Sequence, residues 1–353
     1  MKGMLAAAVT LLLFLCPVRA ALEVPGLDEL WRQAEEYGVE EGDSLEGGLA
    51  ALLSRVPETV HSLLTAGMRT GVKLLAVVLV CSLGGGMQTV GQQNALSAIR
   101  LAGALAITAL TMTDVAAMIG LGRDAIGKMD LFSAVLLPVM AVLTALSGGI
   151  TSAAVRQGAT VLFSKGLVSV MDELLVPMVY AYVVVSCARC ASGSPGLEKL
   201  AQGIKSLVTG VLTAVLVVFV GYLTASGAIA GSVDVSRVKA AKLAISRAVP
   251  VVGGILADAS ETVLAGAGAL RGSVGAAGLV VVLAICLTPF LHLAVQYLIY
   301  KGTAALCAAV AQKELSQLID AIGSAFGLVL GMTGAAALIL LVSIVSAVLG
   351  VTG

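Results

Sequence analysis

From about Gly71 to its C-terminus this chain is a succession of apolar runs, each roughly the length needed to cross a bilayer, separated by short loops. An apolar helix of ~20 residues spans the ~30 Å hydrocarbon layer. Lipid offers no water to satisfy bare backbone amides, so such runs must close their hydrogen bonds internally as helices. Hydrophobic residues make up 59% of the chain and charged residues 12%, where a soluble domain carries about a quarter charged. The expected fold is therefore all-α, a polytopic membrane helical bundle of about seven spans. The apolar windows place crossings near 72–90, 96–120, 131–149, 170–190, 205–227, 273–300 and 323–350.

The chain opens differently. Residues 1–20 read as a secretory signal peptide, with Lys2 as the basic start, Leu5 to Leu15 as the apolar stretch and Val18-Arg19-Ala20 as the cleavage site. Residues 21–60 then hold ten acidic side chains against Arg32 and Arg55, a formal charge of −8, whereas residues 61–353 carry +6. The zero net charge hides that asymmetry. A lysine-free acidic segment after a signal peptide belongs outside the cytoplasm. Leu27, Leu30, Trp31 and Ala34 keep helical spacing, as do Leu49, Leu52, Leu53 and Val56. Residues 21–70 are thus expected to be an acidic extracytoplasmic segment with short amphipathic helices, and 71–353 the membrane domain. Seven crossings from an outside N-terminus put the C-terminus in the cytoplasm. Cations near the span ends then divide eight inside to seven outside, which leaves the positive-inside rule undecided.

Two neighbouring stretches stand out. Over residues 234–248, Val238, Ala241, Ile245 and Ala248 share one helical face, while Lys239, Lys242 and Arg247 mark the other. A basic amphipathic helix of this kind lies in the headgroup plane or docks onto a cytoplasmic partner. In 249–271, Pro250, Gly253 and Gly254 interrupt the helix, and Asp258 and Glu261 follow three apart on one face. Broken helix at membrane depth is tolerated where protein or a water-filled cavity surrounds it, so these five residues are candidates for a re-entrant, gate or pore-lining segment. An interfacial loop facing water is the plainer alternative. Gly323, Gly327 and Gly331 form a G-xxx-G-xxx-G stripe for close helix packing, either within one chain or between copies.

Catalytic signals are weak. Gly122 to Lys128 fits G-x-x-x-x-G-K, but Met129 stands where a magnesium-binding hydroxyl belongs and no strand precedes it. Cys187 and Cys190 have C-x-x-C spacing at the end of an apolar run, without a βαβ pattern. With His61 and His292 the only histidines, no multi-histidine metal site is expected. Asp114 lies in the second expected span, as a protonatable relay or as a neutral acid near the helix end. No enzyme activity and no cofactor are expected.

Ser236 to Gly275 (SRVKAAKLAISRAVPVVGGILADASETVLAGAGALRGSVG), Leu137 to Gly149 (LPVMAVLTALSGG) and the run from Pro289 through Tyr300-Lys301 resemble the stage III sporulation protein AE family of endospore-forming bacteria. The resemblance extends over nearly the whole length. It implies a subunit of the mother-cell half of a channel-like, protein-export-like complex joining mother cell and forespore. The implied partners are a secretion-type ATPase, ring-forming membrane proteins and membrane lipid. A homo-oligomer is a further expectation, and no nucleic-acid partner is implied. The implied location is the mother-cell membrane around the forespore. A self-sufficient secondary transporter with its site at the broken segment is the competing reading.

Overall fold

The computed structural model describes residues 27–36, 45–86, 93–146, 162–163, 165–225, 273–310 and 313–352, and among these only the turn at Gly193 and Ser194 is not helical. The elements are α1 (Leu27–Glu36), α2 (Leu45–Gly86) and α3 (Gln93–Leu146). α4 (Lys165–Ser192) contains a π-helical turn, Met171–Leu175. α5 (Pro195–Ala225), α6 (Ser273–Val310) and α7 (Lys313–Thr352) complete the order. Six of these, α2 to α7, are long and apolar enough to cross a membrane. The chain is an all-α, multi-pass membrane protein.

α7 forms the axis. Ile319, Ile322, Ala325, Phe326, Ala335, Ile339 and Ile344 on its successive faces are all buried. A helix that is apolar all round belongs at the centre of a bundle, where every face finds a partner. α6 lies against α7 most extensively and carries α2 on its outer side, α3 packs on both α6 and α7, and the α4–α5 hairpin leans on α3 and α7. The hairpin turns at Gly193, whose φ of 67° is left-handed and whose N–H donates to the Arg189 carbonyl at 2.7 Å. A residue with a side chain is strained in that conformation. Arg100 of α3 lies over the same glycine, within 2.9 Å of where a Cβ would sit.

The six long helices alternate in direction. Arg100 meets Gly193, Cys190 Sγ reaches the Glu314 carbonyl at 3.3 Å, and Cys81 adjoins Gly103 beside Leu315. The last turns of α2, α4 and α6 and the first turns of α3, α5 and α7 therefore gather at one end. At the other, Gly48 meets Val280, Gly278 meets Leu136, and α1 packs on α3 and α6. α1 buries Leu30 and Ala34, the face read from its spacing. Leu49 to Val56 is not a separate short helix but the opening of α2, which continues through Pro57.

One difference from the expected spans matters for everything downstream. The crossings anticipated at 96–120 and 131–149 lie on the single helix α3, 54 residues long. The charged stretch Arg123, Asp124, Lys128 and Asp130 suggested a loop between them. Charge alone does not end a helix; a turn needs Gly or Pro in breaking positions. Here Gly120, Gly122 and Gly127 stay helical. Gly122 lets α3 approach Val329 of α7 closely, and Arg123 finds Asp172 across on α4. At ~1.5 Å per residue α3 is about 80 Å long, whereas a 40° tilt stretches a ~30 Å crossing to only about 40 Å. α3 must reach well past the hydrocarbon layer.

Candidate functional site

The residues singled out at Lys239, Lys242, Arg247, Pro250, Gly253, Gly254, Asp258 and Glu261 lie outside the described residues. What the described helices do assemble is a polar layer inside the bundle, at the level of the glycine stripe.

On α7, Asp320, Gly323, Ser324, Gly327 and Gly331 fall on one face, because steps of three, four and seven residues return to nearly the same direction. That face meets α6. A Cβ on Gly323 would lie 3.1 Å from Tyr300 Cβ and 3.4 Å from the Lys301 backbone nitrogen. One on Gly327 would lie 3.0 Å from Tyr297 Cε2. Gly331 is buried further along the same helix.

The close approach places polar groups of four helices, α3 to α6, around α7. Lys301 of α6 donates to Asp320 Oδ1 at 2.7 Å and to Ser324 Oγ at 2.8 Å. Lys205 of α5 donates to the same Ser324 hydroxyl at 3.4 Å, and Tyr182 of α4 is buried nearby. Where α6 and α7 meet α3, the fully buried Tyr300 donates its hydroxyl to Asp114 Oδ2 of α3 at 2.8 Å. Tyr300 also packs edge-on against Phe326, ring centroids 4.9 Å apart. Ser316 Oγ of α7 donates to the Ala304 carbonyl at 3.1 Å, and Thr108 Oγ1 of α3 to Cys187 Sγ at 3.3 Å. Charge in or near hydrocarbon is costly and normally paired. Here each carboxylate has a donor from a different helix, which fixes the rotation of α3, α6 and α7 about one another.

Asp320 and Ser324 are functional candidates that sequence reasoning missed. Lys205 counts there only among the cations near span ends, Lys301 closes the Pro289 run that carries the family resemblance, and Asp114 stands as an isolated acid. The usable signal was Asp320-x3-Ser324 continuing the face of the glycine stripe.

A second polar level crosses the bundle nearer α1. Arg123 Nε donates to Asp172 Oδ1 at 3.0 Å, with Asp172 carried in the π-helical turn of α4. Such turns insert one residue and re-aim the next. Beside this level a cavity of about 600 Å³ opens between α1, α2, α3 and α6; Glu35, Glu36, Asp124 and Lys128 supply its charge and Pro289 of α6 lines its wall. On the outer face of α1, the hydrogen-bonded Arg32 guanidinium holds the Glu29 carboxyl below its ordinary value. Gly122 to Lys128, the phosphate-loop near-miss, is continuous helix, so its amides are engaged along α3 rather than facing a ligand. Among the described residues no three His, Cys, Asp or Glu side chains are grouped to hold a metal ion.

Residues 41–351 match the family model for Stage III sporulation protein AE. A curated relative named Stage III sporulation protein AE, from Bacillus subtilis (strain 168), is 24% identical over 160 residues, covering 45% of this chain and 40% of that protein. The chain thus aligns with less than half of that relative's length. No solved structure matches.

Proposed function

Because the chain belongs to the Stage III sporulation protein AE family, we propose that it is a non-enzymatic, multi-pass subunit of a channel-like or secretion-like complex between mother cell and forespore. Its work there is structural: a membrane platform on which other subunits assemble. In this reading it sits in the mother-cell membrane with the acidic N-terminal segment outside the cytoplasm once the signal peptide is removed. Its partners include a secretion-type ATPase and ring-forming membrane proteins. The broken segment with Pro250, Gly253, Gly254, Asp258 and Glu261 is proposed to face the pathway. Lys239, Lys242 and Arg247 are proposed to meet lipid or a partner.

The observation that supports this most is helix length. α2, α3, α6 and α7 run 42, 54, 38 and 40 residues, or about 57–81 Å at ~1.5 Å per residue. Helices that outrun the hydrocarbon layer present extramembrane surface, which an assembly subunit needs. The test is purification of the tagged full chain from sporulating cells after mild cross-linking. Recovery in a stable complex with other sporulation membrane proteins is expected. Recovery of the chain alone, together with solute uptake by the purified protein in liposomes, would overturn the proposal in favour of a transporter.

A further inference from the structure

Lys205 and Lys301 converge on one hydroxyl. Their ammonium groups lie 3.4 and 2.8 Å from Ser324 Oγ, so at most about 6 Å separates them. One carboxylate, Asp320, serves both, and it bonds Lys301. Among the described residues the cluster therefore carries one more cation than carboxylate, the excess centred on Lys205, whose described hydrogen-bond partner is a neutral hydroxyl. Two like charges this close favour an anion between them. The cluster is open: the side chain of Lys301 is 28% exposed and that of Asp320 50% exposed. α5 packs on α4 and more lightly on α7, so Lys205 and Lys301 reach Ser324 from two different neighbours of α7.

The surroundings are ordered along the bundle. Between the lysines and the helix turns, α5 carries Glu198, Lys199 and Gln202, and α7 carries Lys313, Glu314 and Gln317. On the side away from the turns, Leu298 of α6, three residues before Lys301 and on the same helical face, is 60% exposed. Tyr297 lies beside Lys301, its ring centroid 6.0 Å from Nζ, and amphipathic aromatics of this kind mark headgroup level. Charge toward the turns and a bare apolar side chain below is the polarity of a phospholipid. Basic pockets between membrane helices bind anionic headgroups.

We propose that Lys205, Lys301 and Ser324 form a binding site for the phosphate of an anionic phospholipid, with its acyl chains descending past Leu298 on the outer face of α6. The site is a property of the helix body and does not depend on membership of the sporulation complex.

The test is thermal unfolding of the purified full chain in detergent, titrated with phosphatidylglycerol, with phosphatidylcholine, and with inorganic phosphate. Phosphatidylglycerol should raise the unfolding temperature saturably, and the other two should not. Lys205→Gln, which breaks only the weaker bond to Ser324, should raise the half-saturating lipid concentration at least tenfold. Asp320→Asn removes the competing negative charge and should lower it. A merely structural role for these side chains moves the starting temperature of both variants but not their lipid response in opposite directions. An unchanged half-saturation in Lys205→Gln, a weakened response in Asp320→Asn, or an equal shift with inorganic phosphate alone would overturn the assignment.

Discussion

Replacement of Gly323 by leucine tests whether the α6–α7 contact holds the body together. A Cβ there meets Tyr300 Cβ at 3.1 Å and the Lys301 nitrogen at 3.4 Å. Both are fixed by the α6 backbone, so neither can swing aside as the tip of a flexible side chain would. Leucine adds three more carbons in the same place. Overpacking of this kind costs about 1–3 kcal/mol, while the better helix preference of leucine returns roughly 0.8–1 kcal/mol. The net loss is about 0–2 kcal/mol on those two ranges. Gly327→Leu should cost less, because the clash at 3.0 Å is with the ring of the half-buried Tyr297, which can rotate. Gly210→Leu is the control: nothing lies within 4 Å of that position. The assay is the apparent melting temperature of each purified variant in detergent, alongside the size of its assembly. The expected order is Gly210→Leu at or above the parent, then Gly327→Leu, then Gly323→Leu. Equal melting of Gly323→Leu and Gly210→Leu would refute the reasoning. If Gly323→Leu kept its melting temperature and lost only self-association, the stripe would be meeting another chain instead of α6.

Tyr300→Phe leaves the Asp114 carboxylate without its 2.8 Å donor, and should lower stability by about 1–3 kcal/mol, measured by denaturant or thermal unfolding. The Arg123–Asp172 pair is different, since the arginine side chain is 59% exposed. A double-mutant cycle with alanine at both positions should give a coupling of about 0–1 kcal/mol, and a larger value would mean the pair is buried by lipid or a partner. Leu30→Asp places a carboxylate on the buried face of α1. Hydrogen exchange should then show residues 27–36 losing protection more than tenfold, with α6 and α7 unchanged.

Much of the architecture was legible in apolar run length and helical spacing. The all-helical body, the buried face of α1 through Leu30 and Ala34, and the ends of most long helices follow from hydrophobic periodicity. Periodicity is local, however, and cannot tell a charged turn from a charged helix whose partners arrive from elsewhere. Arg123 read as loop because its partner Asp172 is 49 residues away. For the same reason Asp114 looked solitary, its donor Tyr300 lying 186 residues on. The Lys301–Asp320–Ser324 group was hidden differently: Lys301 and Asp320 fall just outside the apolar windows 273–300 and 323–350 and read as loop, while Ser324 falls just inside the second. The proposed pathway residues from Pro250 to Glu261 fall outside the described residues.

The continuity of α3 decides the layout of the whole membrane body. Single cysteines at Asp28, Ser194 and Lys313 on a cysteine-free background, labelled with a membrane-impermeant maleimide before and after permeabilisation, test it most directly. One unbroken α3 places the α4–α5 and α6–α7 turns on the face opposite α1. Position 28 should then label in intact cells, and positions 194 and 313 only once the membrane is opened. Labelling of all three from the same side would show that the chain turns between Arg123 and Asp130 and crosses twice there.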